Sequence, residues 1–222
     1  MDIIVKRTNR TSIGIYIREG KVEVRAPYQC PQESIDKFLG PKMDWIQKHL
    51  ATSQANLESR KNFVIDYGSE VLLWGQPYPI VAKEGNRAGF DGKVFYIPPG
   101  FDPSPIKELI IKTYTTLAKL HFKNRVAHFT PIMGLSPTGV KVNSAKTRWG
   151  SCSSKKTLNF SWRLIMASEY IIDYVIVHEL AHIYEMNHSA KYWAVVERFM
   201  PDYKQRMAEL KDFGTKLHLE DW

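Results

Sequence analysis

The segment Ser168–His182, which reads SEYIIDYVIVHELAH, constrains the fold more than any other part of the chain. Apolar residues occupy most of its positions, so it predicts a helix that is buried on nearly all sides. The segment also carries His178, Glu179 and His182, and such polar side chains are costly to bury without partners. We therefore predict a buried helix, with Ser168 as its N-cap, whose polar residues are satisfied by a metal ion.

The spacing of these polar residues is that of a catalytic metal site. Residues four apart lie on one helix face, so His178 and His182 can point their imidazoles at one ion. Glu179 lies about 100° around the helix axis, where it can reach a water activated by the metal but is poorly placed as a ligand. This is the HExxH pattern, which combines two ligands with one general base. It predicts peptide-bond hydrolysis, in which Glu179 passes a proton from the water to the leaving nitrogen.

A catalytic zinc ion uses three protein ligands, so a third must come from elsewhere in the chain. His188 is the candidate, but a straight helix would place it about 9 Å beyond His182 and roughly 120° off its face. The chain must therefore turn, and Asn187 is the residue best suited to a left-handed conformation. Glu197, in the next predicted helix, is the rival ligand, whereas Glu185 lies too near the helix end. We expect one Zn²⁺ per chain.

The remaining patterns predict a mixed α+β fold. The first 27 residues alternate in polarity and indicate a three-strand meander, and Pro41 should divide a helical stretch that runs from Pro31 to about Leu57. Strand patterns return before residue 100, and a long helix is predicted from about Ser104 to His128. Ser189 should cap a helix that ends near Met200, and a last helix should end near Gly214. We therefore expect a β-rich N-terminal lobe with two helices, residues 1–100, and a catalytic lobe, residues 101–222.

A hairpin at residues 149–162, immediately before the histidine helix, is the candidate substrate-binding element. An edge strand beside the metal can bind an extended peptide by backbone pairing. Gly150 and Ser151 would permit close approach of another backbone. A hydroxyl from Tyr192 is a candidate to stabilise the developing oxyanion, with core packing as the alternative.

The chain is basic, with a net charge of +8, and part of this charge is concentrated next to the hairpin. Six basic residues and no acidic ones lie between Lys141 and Arg163. This run indicates either a solvated strand edge or a positive surface for acidic protein segments or nucleic acid. Arg148 could clamp a substrate carboxylate or carbonyl, or pair with a local acid such as Glu169 or Glu185.

Cysteine content and apolar runs bear on where the protein works. The chain has two cysteines, Cys30 and Cys152, and no CxxC motif, so we expect no disulfide or cysteine zinc site and a cytoplasmic location. No apolar stretch typical of a signal peptide follows the N-terminus. The apolar run at 171–177 is too short to cross a bilayer, so we expect no membrane association.

Three motifs, RWGSC, HELAH and NHSAKYW, occur in this order, and together they resemble the YgjP-like zinc metallopeptidases, which are relatives of the SprT-like and WLM domains. The resemblance is strongest over residues 140–200, and the family's domain would cover nearly the whole chain. It implies a zincin-like fold with a protein or peptide substrate. It also implies zinc ligands at His178, His182 and His188 with Glu179 catalytic, and so favours His188 as the third ligand.

Other functions stay open at this point, and one of them is a zinc amidase that acts on a non-peptide bond. The SprT-like relatives act on proteins attached to DNA, but this chain has no separate DNA-binding motif, so nucleic acid is a weakly supported partner. The zinc could also be structural in a non-catalytic protein that binds nucleic acid through its basic surface. Glu179 distinguishes these readings, because a structural site has no use for a base beside the metal. The sequence does not indicate an oligomeric state.

Overall fold

The computed structural model describes residues 2–222 of the protein, and the predicted α+β class is confirmed. The chain forms two compact units, one of Met1–Phe63 with Lys216–Trp222 and the other of Val64–Thr215. Residues 64–100, which we assigned to the N-terminal lobe, belong to the second unit, and the functional division at residue 100 stays a prediction. None of the helices described here is both long enough and apolar enough to cross a membrane.

The first unit packs two helices against a three-stranded sheet. Its elements are β1 (Ile3–Thr8), β2 (Gly14–Arg18), β3 (Lys21–Pro27), α1 (Gln32–Leu39), a 3₁₀ turn (Gly40–Lys42) and α2 (Met43–Lys61). The expected break at Pro41 is confirmed by the 3₁₀ turn that separates the two helices. The core joins alternate residues of β3 to Ile35, Leu39 and Ile46 of the helices.

The predicted meander was wrong, because β3 lies between β1 and β2. β3 pairs in parallel with β1 and antiparallel with β2. Val22, Val24 and Ala26 are fully buried on one face of β3, whereas β1 leaves Ile4 and Val5 exposed, so the strand with the stronger apolar face occupies the centre. The loop 9–13 can span the width of β3, since crossing it requires only about 10 Å.

The second unit contains two sheets and four helices. Its elements are β4 (Glu70–Leu73), β5 (Gln76–Ala82), β6 (Gly89–Phe90), β7 (Phe95–Ile97), α3 (Pro103–Met133), β8 (Gly139–Asn143), β9 (Gly150–Cys152), β10 (Thr157–Ser161), a 3₁₀ turn (Trp162–Met166), α4 (Glu169–Ala181), α5 (Ala190–Phe199) and α6 (Tyr203–Leu217). α3 continues one turn beyond the predicted end and stops at Gly134, whose left-handed conformation ends the helix.

The sheet nearest to the histidine helix has the order β8-β10-β9. β10 pairs in parallel with β8 and antiparallel with β9, so the predicted hairpin at 149–162 is confirmed. β8 and β9 therefore form opposite edges of this sheet. β9 also packs against α4, which brings one edge next to the HExxH motif.

The turn between β4 and β5 supports the start of α4. The amides of Trp74 and Gly75 donate to the carbonyls of Ile165 and Met166, at 2.9 and 3.1 Å. Gly75 has φ +77°, and a Cβ added there would lie 3.0 Å from the Cα of Ser168. Only glycine fits both the conformation and this close approach, so the turn is held against the residue that begins α4.

Candidate metal centre

α4 begins and is buried as its sequence predicts. The Ser168 hydroxyl accepts from the amide of Ile171, which makes Ser168 the N-cap. Nine of the thirteen residues of α4 are buried. Glu179 and His182 are among the few buried polar side chains of the chain, with exposed fractions of 5% and 8%. The helix thus carries the polar residues of the motif into an apolar environment.

The fold brings the three candidate histidines together. Ligand-capable atoms of His178, His182 and His188 all lie within 4.8 Å of one another. The Nε2 atoms of His178 and His188 are 3.2 Å apart. Zinc–nitrogen bonds of roughly 2.0 Å would separate two ligands of a tetrahedral site by about 3.3 Å, so this spacing fits the donors of one zinc ion.

His188 reaches this group because the chain turns sharply after α4. The amides of Ile183 and Tyr184 donate to carbonyls in the last turn of the helix, and the Tyr184 hydroxyl donates to the carbonyl of Met133 at 2.6 Å. Asn187 does not adopt the left-handed conformation that we expected. Its side chain instead accepts from the amide of Ser189 at 3.1 Å, so it shapes the turn through a hydrogen bond.

The two glutamates considered as ligands have other surroundings. Glu197 is exposed on α5 and is not part of the three-histidine group. Glu185 contributes its backbone carbonyl, which lies 3.1 Å from Nδ1 of His182. An Nδ1 proton donated to this carbonyl leaves Nε2 of His182 with a free lone pair, which is the tautomer that a metal ligand requires.

Burial keeps the imidazoles of His178 and His182 neutral. It lowers the pKa of His178 to about 3, with further lowering from His182 and His188, and it also lowers the pKa of His182. Nδ1 of His178 is buried without a hydrogen-bond partner among the described residues. Neutral imidazoles are the form that binds zinc, so the burial of these two histidines suits a metal cation.

Two aromatic residues of α5 hold the histidines in place. The Tyr192 side chain is fully buried, and its hydroxyl donates to the carbonyl of His178 at 2.9 Å. This engagement favours the packing role over the oxyanion role that we considered for Tyr192. Trp193 stacks on His188 with ring centroids 5.8 Å apart, and on Tyr203 at 5.2 Å. The stack braces the third histidine, which is itself exposed.

Glu179 lies against the backbone of β9. A Cβ added to Gly150 would be 2.6 Å from both Cγ and Oε1 of Glu179, so only a glycine leaves room for this side chain. Burial raises the pKa of Glu179 to about 7, and the charge of Arg148 partly opposes this rise. We expected Gly150 to admit a substrate backbone; the group that it admits here is the carboxylate of the motif.

Arg148 stands near this carboxylate on an exposed loop. Within residues 2–222 it forms no ion pair with Glu169 or Glu185, the two local acids considered as partners. The loop is fixed from β10 and the turn that follows it, because the Ser161 hydroxyl and the buried Arg163 guanidinium donate to carbonyls at the start of the loop. A clamp on substrate by Arg148 stays a prediction.

Comparison with known proteins indicates the class of protein to which the chain belongs. A family model described as YgjP-like, metallopeptidase domain, matches residues 11–213. No curated protein matches the chain. The metallopeptidase zymogen abylysin of Pyrococcus abyssi is 22% identical over 40% of this chain and 90% of its own, with a TM-score of 0.38. The jannalysin zymogen of Methanocaldococcus jannaschii is 20% identical over 41% of this chain and 94% of its own, with a TM-score of 0.37. Both structural likenesses are too weak to carry an argument.

Proposed function

The chain belongs to the YgjP-like metallopeptidase family, and we propose that it hydrolyses peptide bonds with one zinc ion held by His178, His182 and His188 and with Glu179 as general base. Membership of the family makes the protein a metallopeptidase that acts on proteins or peptides. The identity of the metal, its ligands and the role of Glu179 belong to the proposal. A cytoplasmic location, expected from the cysteine content, also stays a prediction.

The observation that carries the proposal is the convergence of three imidazoles beside one buried carboxylate. The Nε2 atoms of His178 and His188 lie 3.2 Å apart, a spacing that suits two donors of one ion. Burial of His178 disfavours its imidazolium form, in which both ring nitrogens carry a proton and cannot bind a metal ion. Three imidazoles with no thiolate are typical of a catalytic zinc site that keeps a fourth position open.

Glu179 is suited to move a proton. Its pKa, raised to about 7 by burial, gives the carboxylate enough basicity to accept a proton near neutral pH. In the proposed reaction Glu179 accepts a proton from the water that attacks the peptide carbonyl, and then delivers it to the leaving nitrogen. Zinc, when bound, supplies the Lewis acidity that favours ionisation of water and polarises the carbonyl.

The substrate would bind as an extended segment along β9. β9 is an edge strand of its sheet, and it packs against the helix that carries Glu179. A peptide that paired with its outer edge would pass beside the carboxylate and the histidines. This arrangement supports hydrolysis of unfolded segments or flexible loops, because a folded strand cannot leave its own sheet to pair with β9.

A purely structural zinc site has less support. Burial of the Glu179 carboxylate beside three histidines carries a desolvation cost that a structural site would have no reason to accept. Action on proteins bound to nucleic acid would require a nucleic-acid surface as well, and the basic run near the hairpin is the only feature of residues 2–222 that favours it.

Zinc content and peptidase activity of matched variants test the proposal. Wild type should contain one zinc per chain, which His188→Ala should lose and Glu197→Ala should keep. Glu179→Gln should keep zinc and lose peptide hydrolysis by roughly a thousandfold. Glu169→Gln, an exposed change on the same helix, is the control and should retain activity.

Each result has a clear reading. Zinc loss in the Glu197 variant would mean that Glu197 of α5 is the third ligand. Full activity of Glu179→Gln would refute the general-base role. Absence of zinc from every sample, including one refolded with excess zinc, would refute the metal site itself.

A further inference from the structure

The longest acid-free part of the chain surrounds a groove on the edge of the sheet away from Gly150. Residues 109–168 contain ten lysines and arginines but no aspartate or glutamate. β8 and all but the first six residues of α3 fall within this stretch, and the two elements pack against each other. Three of its lysines, Lys119, Lys123 and Lys141, are exposed and line the groove where the two elements meet.

The groove consists of two adjoining cavities of about 620 and 430 Å³, which share Lys123 and Val140. Its apolar lining includes Val126 of α3 and Val140 and Val142 of β8. The three lysines form no ion pair within residues 2–222, and no acidic residue lines either cavity. The surface therefore combines an apolar floor with uncompensated positive charge.

The backbone of β8 is accessible from this groove. β8 is the edge strand opposite β9, and it pairs only with β10 among the described residues. Three consecutive residues, 140–142, line one cavity, although neighbouring side chains of a strand point to opposite faces. The cavity must therefore run along the edge of β8, where unpaired amide and carbonyl groups point outward.

We propose that this groove binds an extended, acidic polypeptide segment, which adds as a further strand to the outer edge of β8. Main-chain hydrogen bonds to β8 would hold the backbone, and side chains on the two faces of the added strand would bring carboxylates to the lysines and apolar groups to the valines. β10 separates this segment from the proposed cleavage strand, so the groove is a docking site distinct from the metal centre.

The lining favours a peptide over a single-stranded nucleic acid. Proteins that bind single strands combine positive charge with aromatic side chains on which bases stack. Neither cavity is lined by an aromatic residue or an arginine. A strand edge, in contrast, has the spacing of hydrogen-bonding groups that only another polypeptide backbone matches.

Fluorescence anisotropy with a labelled peptide of about ten alternating Glu and Val residues tests the proposal. The full chain should carry Glu179→Gln, so that binding is measured without cleavage and independently of the proposed function. Lys123→Glu with Lys141→Glu should weaken binding by about tenfold or more. Lys93→Glu with Lys211→Glu, which makes the same charge change at exposed lysines outside the groove, should change the affinity less than about twofold.

Two further probes separate strand addition from simple charge attraction. In an added strand, alternate peptide N–H groups face β8 and the others face solvent. N-methylation of the set that faces β8 should abolish binding, because it removes the hydrogen-bond donors, whereas N-methylation of the other set should not. An equal loss of affinity in the two double lysine variants, or no effect of methylation of either set of nitrogens, would overturn the proposal. Tighter binding of a single-stranded oligonucleotide that is sensitive to Lys123 and Lys141 would overturn it in favour of nucleic acid.

Discussion

The Cα of Gly150 lies so close to the Glu179 side chain that a single added carbon would stand 2.6 Å from the carboxylate oxygen Oε1. The contact joins the edge strand proposed to bind substrate to the residue proposed to move the proton. It means that one wall of the carboxylate's pocket is backbone, which cannot move aside as a flexible side chain would.

Gly150→Ala should therefore displace Glu179 and reduce peptide hydrolysis by roughly a hundredfold, since small displacements of a catalytic group have effects of this size. Zinc content should stay at the wild-type level, because the three atoms nearest to the added Cβ all belong to Glu179 and none to a histidine. Activity and metal content of the purified variant check this. Gly40→Ala, where an added Cβ meets nothing within 4 Å, is the control. Wild-type activity in Gly150→Ala would contradict the proposed role of the contact.

Tyr192→Phe should affect stability more than catalysis. The variant removes the hydrogen bond to the His178 carbonyl and leaves a buried acceptor, so the free energy of unfolding should fall by about 1 kcal/mol. If the hydroxyl instead stabilised the oxyanion, kcat would fall by roughly a hundredfold or more. Chemical denaturation and steady-state kinetics on the same sample separate the two roles.

Trp193→Ala should weaken zinc binding although the tryptophan is not a ligand. Loss of the stacked ring frees the exposed His188 side chain, and we expect the zinc dissociation constant to rise by about tenfold. Competition with a chromophoric chelator measures this change. Trp193→Phe keeps an aromatic face and should restore most of the affinity; an alanine variant with wild-type affinity would show that the stack does not position His188.

Gly75→Ala should destabilise the second unit by about 2 kcal/mol, from a strained positive φ and from crowding against Ser168. Gly68→Ala provides a matched comparison, because Gly68 has a similar φ of +83° but no neighbour within 4 Å of an added Cβ. Thermal denaturation of both variants measures the two losses of stability, and their difference is the cost of crowding against Ser168. Equal losses would mean that the contact between the β4–β5 turn and Ser168 contributes nothing.

Local sequence patterns predicted the elements that depend on local physics. The N-caps Ser168 and Ser189 and the break at Pro41 followed from side-chain chemistry within one turn, and the structure confirms them. The convergence of the three histidines was also expected, because HExxH spacing and the need for a third ligand act within a dozen residues.

Relationships between distant segments were not predictable in the same way. The central place of β3 depends on which strand has the more buried face, and this is decided by the helices packed on it. The contact of Gly150 with Glu179 joins residues from a strand and a helix, and the only signal in the sequence was a glycine where close approach is possible. The Trp193 stack likewise depends on how α5 and α6 pack.

That stack, from His188 through Trp193 to Tyr203, connects the exposed third ligand of the proposed metal site to the start of the last helix. The proposed ligands are thus different residues from those that would set how tightly the metal ion is held. Substitutions at the base of the stack can change zinc affinity while all three histidines stay unchanged. Related chains could in this way be adapted to different supplies of free zinc without any change in the chemistry that the site performs.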